Sequence, residues 1–172
     1  MKTSGNRSKA PARSMRGRSA AALFAVALCV ATAGDTGLAA PDEPQAASQS
    51  RAAIERVVAD YVGLYALPTL DRWKALFHES LVVAYPTENG GVRARHLAEF
   101  FKAQKDYFET GRKVSERLEN VRIDEGRRIA RVSADFVFVD EGEERRGRLG
   151  LHLVETRDGW KITALVFSYD KA

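Results

Sequence analysis

IARVSADFVFVDEGEERRGRLGLHLVETRDGWKITALVF, residues 129–167, reads as three strands joined by two turns, with a period of two clearest over 129–139. Ala130, Val132, Ala134, Phe136 and Phe138 fall on one face of a first strand, with Arg131, Ser133 and Asp135 on the other. Asp140 to Glu144 is an acidic, Gly-containing turn. Leu149, Leu151 and Leu153 share a face of the next strand. Thr156-Arg157-Asp158-Gly159 is a second turn, and Trp160–Phe167 a last strand. Long strands joined by short turns pair antiparallel. Just upstream, Val114 and Leu118 share one parity while Val121 and Ile123 have the other. A β-bulge near Glu119-Asn120 reconciles them.

Before Lys113 the period is helical. Ile54, Val57, Val58, Tyr61, Val62, Leu64 and Tyr65 line one helix, with Tyr61 and Tyr65 a turn apart. Pro68 stops it and Thr69 can cap a second helix carrying Leu70, Trp73, Leu76 and Phe77. LVVAYP, 81–86, reads as a strand, and Glu88 to Gly91 as a turn. Leu97, Phe100, Phe101, Gln104 and Phe108 line a third helix that Gly111 ends. Three helices followed by consecutive strands predict an α+β domain with helices on one face of a mainly antiparallel sheet.

The 172 residues suit one domain. The charge is uneven. Six of the 27 basic residues and one of the 23 acids lie in residues 1–40, which leaves 21 against 22 in the body. A body at −1 gives no electrostatic case for nucleic acid. Residues 20–33, AAALFAVALCVATA, follow a basic stretch and precede small residues. That order predicts a signal peptide in residues 1–40, cut after Ala33 or Ala39, and an exported protein with no membrane attachment after cleavage. The alternative is an uncleaved N-terminal tether, although the apolar run is short for a membrane span. Residues 41–50, PDEPQAASQS, read as a polar linker before a domain over 51–172. One cysteine, Cys29, excludes a disulfide framework. No His/Cys cluster, Gly-rich phosphate loop or Gly-x-Ser-x-Gly elbow is present, so neither metal nor cofactor is expected.

Three strings resemble the nuclear-transport-factor-2-like superfamily, in its SnoaL-like and ketosteroid-isomerase-like branch. They are ERVVADYVGLY (55–65) with DRWKALFHESLVV (71–83), HLAEFF (96–101), and LGLHLVETRDGWKI (149–162). The resemblance covers roughly Ala52 to Ser168 and implies a cone-shaped roll. In such a roll three N-terminal helices pack on a curved sheet that leaves a pocket at its open end. Ketosteroid isomerases use an Asp base with an oxyanion hole of a Tyr and a protonated Asp. The resemblance puts the tyrosine on Tyr61, the base on Tyr85, and the second acid on Gly150 or Leu151. Tyr85 is a poor base at neutral pH, and neither Gly150 nor Leu151 donates a proton. Steroid isomerisation is therefore not expected.

Tyr61 and His152 remain the catalytic candidates: a phenol at the end of an apolar pocket, and an imidazole on the sheet face opposite Leu151 and Leu153. His78, His96, Asp60 and Asp135 read as surface or rim. The pocket expected within a cone is lined by Tyr61, Tyr65, Trp73, Phe77, Tyr85, Phe100, Phe101, Phe136 and Phe138. The leading reading is a non-catalytic or accessory module binding a small apolar or amphipathic molecule. One alternative is a SnoaL-like acid–base enzyme, an isomerase, cyclase or dehydratase, with Tyr61 as donor. Another is a dimeric interaction domain with no open pocket. A homodimer is expected, paired through Ile129, Val137 and Val139 on the outer face of one strand.

Overall fold

A computed structural model describes residues 43–170, all within the unit Ala40–Ala172. The leader expected in residues 1–40, with Ala33, Ala39 and Cys29, lies outside the described residues. Helix α1, Glu43–Gly63, buries Ile54, Val58 and Tyr61 as one row of its face. The stretch expected to be a linker is thus helical from Glu43 onward. Pro44 falls in the first turn, where its missing N–H has no intrahelical partner to lose, so it starts the helix instead of breaking it.

A single 3₁₀ turn, Leu67–Thr69, leads into α2, Leu70–Lys74. The Thr69 hydroxyl, expected to cap α2, instead donates back to the Leu64 carbonyl at 2.8 Å. Helix α2 is pinned to α1 by Trp73 Nε1, which donates to the Tyr61 carbonyl at 2.8 Å. It is also shorter than its apolar spacing predicts. Phe77 opens β1, Phe77–Pro86, and pairs with Ile162, because ladder hydrogen bonds outweigh the local helical pattern there. Strand β2, Val92–His96, follows the turn and is an exposed edge. Helix α3, Leu97–Glu109, ends at Gly111, whose φ of +79° gives the left-handed C-terminal turn.

The rest is a meander: β3, Val114–Glu125, β4, Ile129–Asp140, β5, Glu143–Thr156, and β6, Gly159–Tyr169. The expected bulge is present, with a register shift between Glu119 and Arg122 and φ of +52° at Asn120. The β4–β5 turn has two loop residues, Glu141 and Gly142, both with positive φ, the twist that tight hairpins require. The six strands run in the order β2-β1-β6-β5-β4-β3. All neighbours are antiparallel except β1 and β6, which are parallel, so the sheet is mixed and open. The helices cover its inner face around Trp73, Leu81, Val132, Leu151, Ile162 and Leu165.

The outer face corrects one expectation. Val137 is 1% exposed, yet it stands outside the inner core cluster. Its cross-strand neighbours are Arg117 and Arg146. Both arginines pair with both Glu119 and Glu144, at 3.2 to 3.5 Å, and this closed quartet covers the valine. Val139 is half-buried, and of the three residues expected at a dimer face only Ile129 is open, at 64%.

Candidate functional site

The helices and the sheet enclose a cavity of about 280 Å³. Helix α1 gives it Tyr61 and the loop that follows gives Tyr65, α2 gives Trp73, and α3 gives Phe100, Ala103, Gln104 and Tyr107. The sheet adds Arg95, Glu116, Phe136, Phe138, Arg145, Leu149, Leu165, Phe167 and Tyr169. Such an open cavity argues against a collapsed cone.

Six of the nine residues expected at the pocket line it: Tyr61, Tyr65, Trp73, Phe100, Phe136 and Phe138. The other three do not. Phe77 is buried behind Trp73, its ring 4.7 Å away edge-on. Tyr85 stacks on Phe167 at 5.0 Å, one layer outside the lining. Phe101 is half-buried beneath the Lys74 ammonium, 4.5 Å from its ring. The candidate His152 is exposed between the buried Leu151 and Leu153. It points out of the sheet, away from the cavity, so alternation of the strand removes it from the site. Leu151 is fully buried in the core.

Glu116 is the one acid in the lining among the described residues, and with Arg95 it was absent from the residues expected at the pocket. It lies on β3 between Val114 and Leu118, with the same parity, and lines the cavity. Its Oε1 is buried with no hydrogen-bond partner. Burial pushes the carboxyl up to about 7, against a smaller opposing pull from the Tyr61 hydroxyl. Tyr61 is itself raised well above the usual phenol range, first by burial and then by the Glu116 charge. Tyr65 is raised for the same two reasons. Both phenols are therefore neutral donors at physiological pH. The Tyr65 hydroxyl is bound to Gln104 Oε1, which fixes its direction.

The mouth is charged. Tyr107 donates to Asp140 Oδ2 at 2.5 Å, and Arg112 Nε reaches Asp140 Oδ1 at 2.7 Å. These bonds hold the Asp140 carboxyl below the usual range. Arg145 lies over the rings of Phe138 and Tyr169, at 5.3 and 4.9 Å, and only 3.9 Å links it to Asp140. The cavity thus offers one carboxyl that exchanges its proton near neutrality, a buried and a half-buried phenol, Tyr61 and Tyr65, and aromatic walls. That set can move a proton to or from carbon and stabilise the oxyanion that results. No group of three or more His, Cys, Asp or Glu placed to hold a metal occurs among the described residues.

Residues 54–170 match the family model described as a SnoaL-like domain. The fold is similar to that of a nuclear-transport-factor-2-like protein of unknown function from Shewanella baltica, with 13% identity and a TM-score of 0.56 over 73% of this chain and 97% of that one. A proposed scytalone dehydratase from Novosphingobium aromaticivorans is similar at 20% identity and a TM-score of 0.60, covering 74% and 89%. The beta subunit of the benzoate 1,2-dioxygenase from Burkholderia mallei is similar at 11% identity and a TM-score of 0.57, covering 68% and 88%. At these identities the likeness is one of fold. No curated protein matches the chain at a significant level.

Proposed function

The chain belongs to the SnoaL-like family, and from that premise we propose that it is an acid–base enzyme acting on a small aromatic or apolar carbonyl compound. The observation that carries this is Glu116, a carboxyl with an unpartnered buried oxygen in an aromatic cavity. The Glu116 carboxylate takes the proton from the carbon next to the substrate carbonyl. The electron pair left behind moves onto oxygen as an enolate, which Tyr61 stabilises by hydrogen bonding. The protonated carboxyl then returns the proton to the same or a conjugated carbon. A carboxyl that titrates near neutrality suits both halves of that cycle. The sequence of residues 1–40 supports export of this enzyme, with its leader removed after Ala33 or Ala39.

Solvent exchange tests the reading. A panel of small aryl ketones in heavy water, followed by NMR, should exchange the hydrogens beside the carbonyl with wild-type protein. Glu116→Gln should lower that rate by roughly 10²–10⁴-fold, the usual contribution of a positioned base. The rate should rise with pH through about 7 as Glu116 ionises. An unchanged rate in Glu116→Gln would sink the proposal.

A second reading, a binding module, has its own support. Among the described residues Glu116 is the only carboxylate in the lining and no His joins it, while Tyr65 is tied to Gln104 as a fixed orienting group. On that reading ketones bind without exchange, and Tyr61→Phe weakens binding by about 0.5–1.5 kcal/mol, the range for one neutral hydrogen bond.

A further inference from the structure

Two buried side-chain polar atoms have no hydrogen-bond partner among the described residues: Glu116 Oε1 and Arg95 Nε. Both residues line the same cavity. Arg95 lies on β2 opposite Val83, which is fully buried, so the two share the inner face of the sheet. Its side chain is 22% exposed, and its guanidinium sits over the Tyr85 ring at 5.8 Å. The nearest counter-charge is Glu99, with Oε1 at 3.2 Å from Nε. The N–H is not directed at it, and Glu99 is 65% exposed, so solvent screens the pair. Withdrawing that N–H from water without a hydrogen bond is costly. A ligand anion that accepts from Arg95 removes that cost.

The balance of the lining points the same way. Two guanidiniums, Arg95 and Arg145, face one carboxyl, Glu116, and that carboxyl is partly protonated near neutral pH. We propose that the molecule bound in this cavity is a flat apolar monoanion, a carboxylate on an aromatic or alicyclic ring, gripped at its charged end by Arg95. Its ring lies among Trp73, Phe100 and Phe136. Its far end, the part to be deprotonated, lies toward Glu116. Arg95 and Glu116 stand on the two edge strands, at opposite ends of the strand order, and both reach the one cavity, so one molecule can meet both. The cavity, about 280 Å³, is at the small end of the ~300–1,000 Å³ typical of ligand pockets, which suits one or two fused rings. This inference rests on the reading of the cavity as the substrate site, and it adds the charge of the substrate.

Calorimetric titration of the full chain with 2-naphthoate and with its uncharged isostere 2-naphthamide tests it. Wild-type protein should bind the carboxylate at least about tenfold more tightly than the amide, as expected for a charge-assisted pair. Arg95→Gln should bring the two within about twofold, and Arg95→Lys should keep part of the preference. Lys keeps the positive charge without the planar fork, so Arg95→Lys should prefer 2-naphthoate by only about two- to fivefold, between wild type and Arg95→Gln. That arm decides the matter if Arg95→Gln does not fold. Equal binding of both compounds to wild-type protein would overturn the anion inference, as would a preference that survives Arg95→Gln or stays at the wild-type level in Arg95→Lys. Each of these leaves the exchange of uncharged ketones, and hence the role of Glu116 as base, to stand or fall on its own measurement.

Discussion

A carboxyl whose proton leaves only near pH 7 weighs on the fold as well as on the chemistry. In the unfolded chain Glu116 titrates at its ordinary value near 4.5. Between that pH and about 7 the native state holds a proton that the unfolded state has lost. Stability therefore falls as pH rises through this window, and the full penalty remains above it. Glu116→Gln removes the titration. It should match wild type at pH 5 and exceed it by about 1–3 kcal/mol at pH 8, read from urea unfolding at both values. A constant difference at the two pH values would mean that Glu116 is not withdrawn from water as described. The residue was legible in principle. Val114 and Leu118 mark the inward parity of β3, and Glu116 sits between them. An acid at an inward position flanked by apolar residues is a signal that a search for apolar alternation passes over. Tyr61, Tyr65 and Trp73 were found because a bulky aromatic reinforces the helical period. Arg95 was not, because it lies on a strand with no apolar period at all.

Elements differed in legibility according to how much of them is buried. Strand β4 places Ala130, Val132, Ala134, Phe136 and Phe138 inward, so its period, its partners and even the bulge opposite it could be read from spacing alone. Strand β2, VRARH, is an edge with little to bury, and the hydrophobic pattern that announces strands is missing from it. The start of α1 hid behind Pro44, a breaker inside a helix and a permitted residue in its first turn. Strand β5 carries a constraint of a different kind. A Cβ added at Gly147 would stand 2.2 Å from the Ser168 carbonyl oxygen and 2.7 Å from two carbons of the Phe136 ring. The ring of Phe136, a wall of the cavity, rests on the bare backbone there. Gly147→Ala should cost about 2–4 kcal/mol in urea unfolding, since backbone and ring must both move. It should also weaken 2-naphthoate binding by displacing the wall. Gly150→Ala is the control: its nearest neighbour would be 3.9 Å away, and it should be near neutral. Equal losses in both variants would show a general dislike of side chains on β5 instead of a close approach at Gly147.

At the scale of the molecule, the sheet separates two chemistries. Its outer side carries the Arg117, Glu119, Glu144 and Arg146 quartet over Val137, while its inner side carries the aromatics and the cavity. The sheet is open: β2 and β3 end the strand order and share no ladder. Both nevertheless supply lining, Arg95 from one and Glu116 from the other. Two unpaired edges that meet only across a cavity are where local opening should be easiest. A ligand held at both ends ties them together. At a concentration of about 100 times its dissociation constant, a ligand suppresses openings that destroy its site by about 100-fold, near 2.7 kcal/mol. Hydrogen exchange with and without saturating 2-naphthoate should therefore slow most at Val92–His96 and at Val114–Leu118. The central ladder of β5 with β6 is paired on both sides, so it should exchange through rarer openings and change less. Slowing at β2 and α3 with none at β3 would mean that the ring lies against Arg95 without reaching Glu116. The anion would then be gripped in a pose that leaves the base idle, and the substrate would have to be longer than a naphthyl ring to be deprotonated.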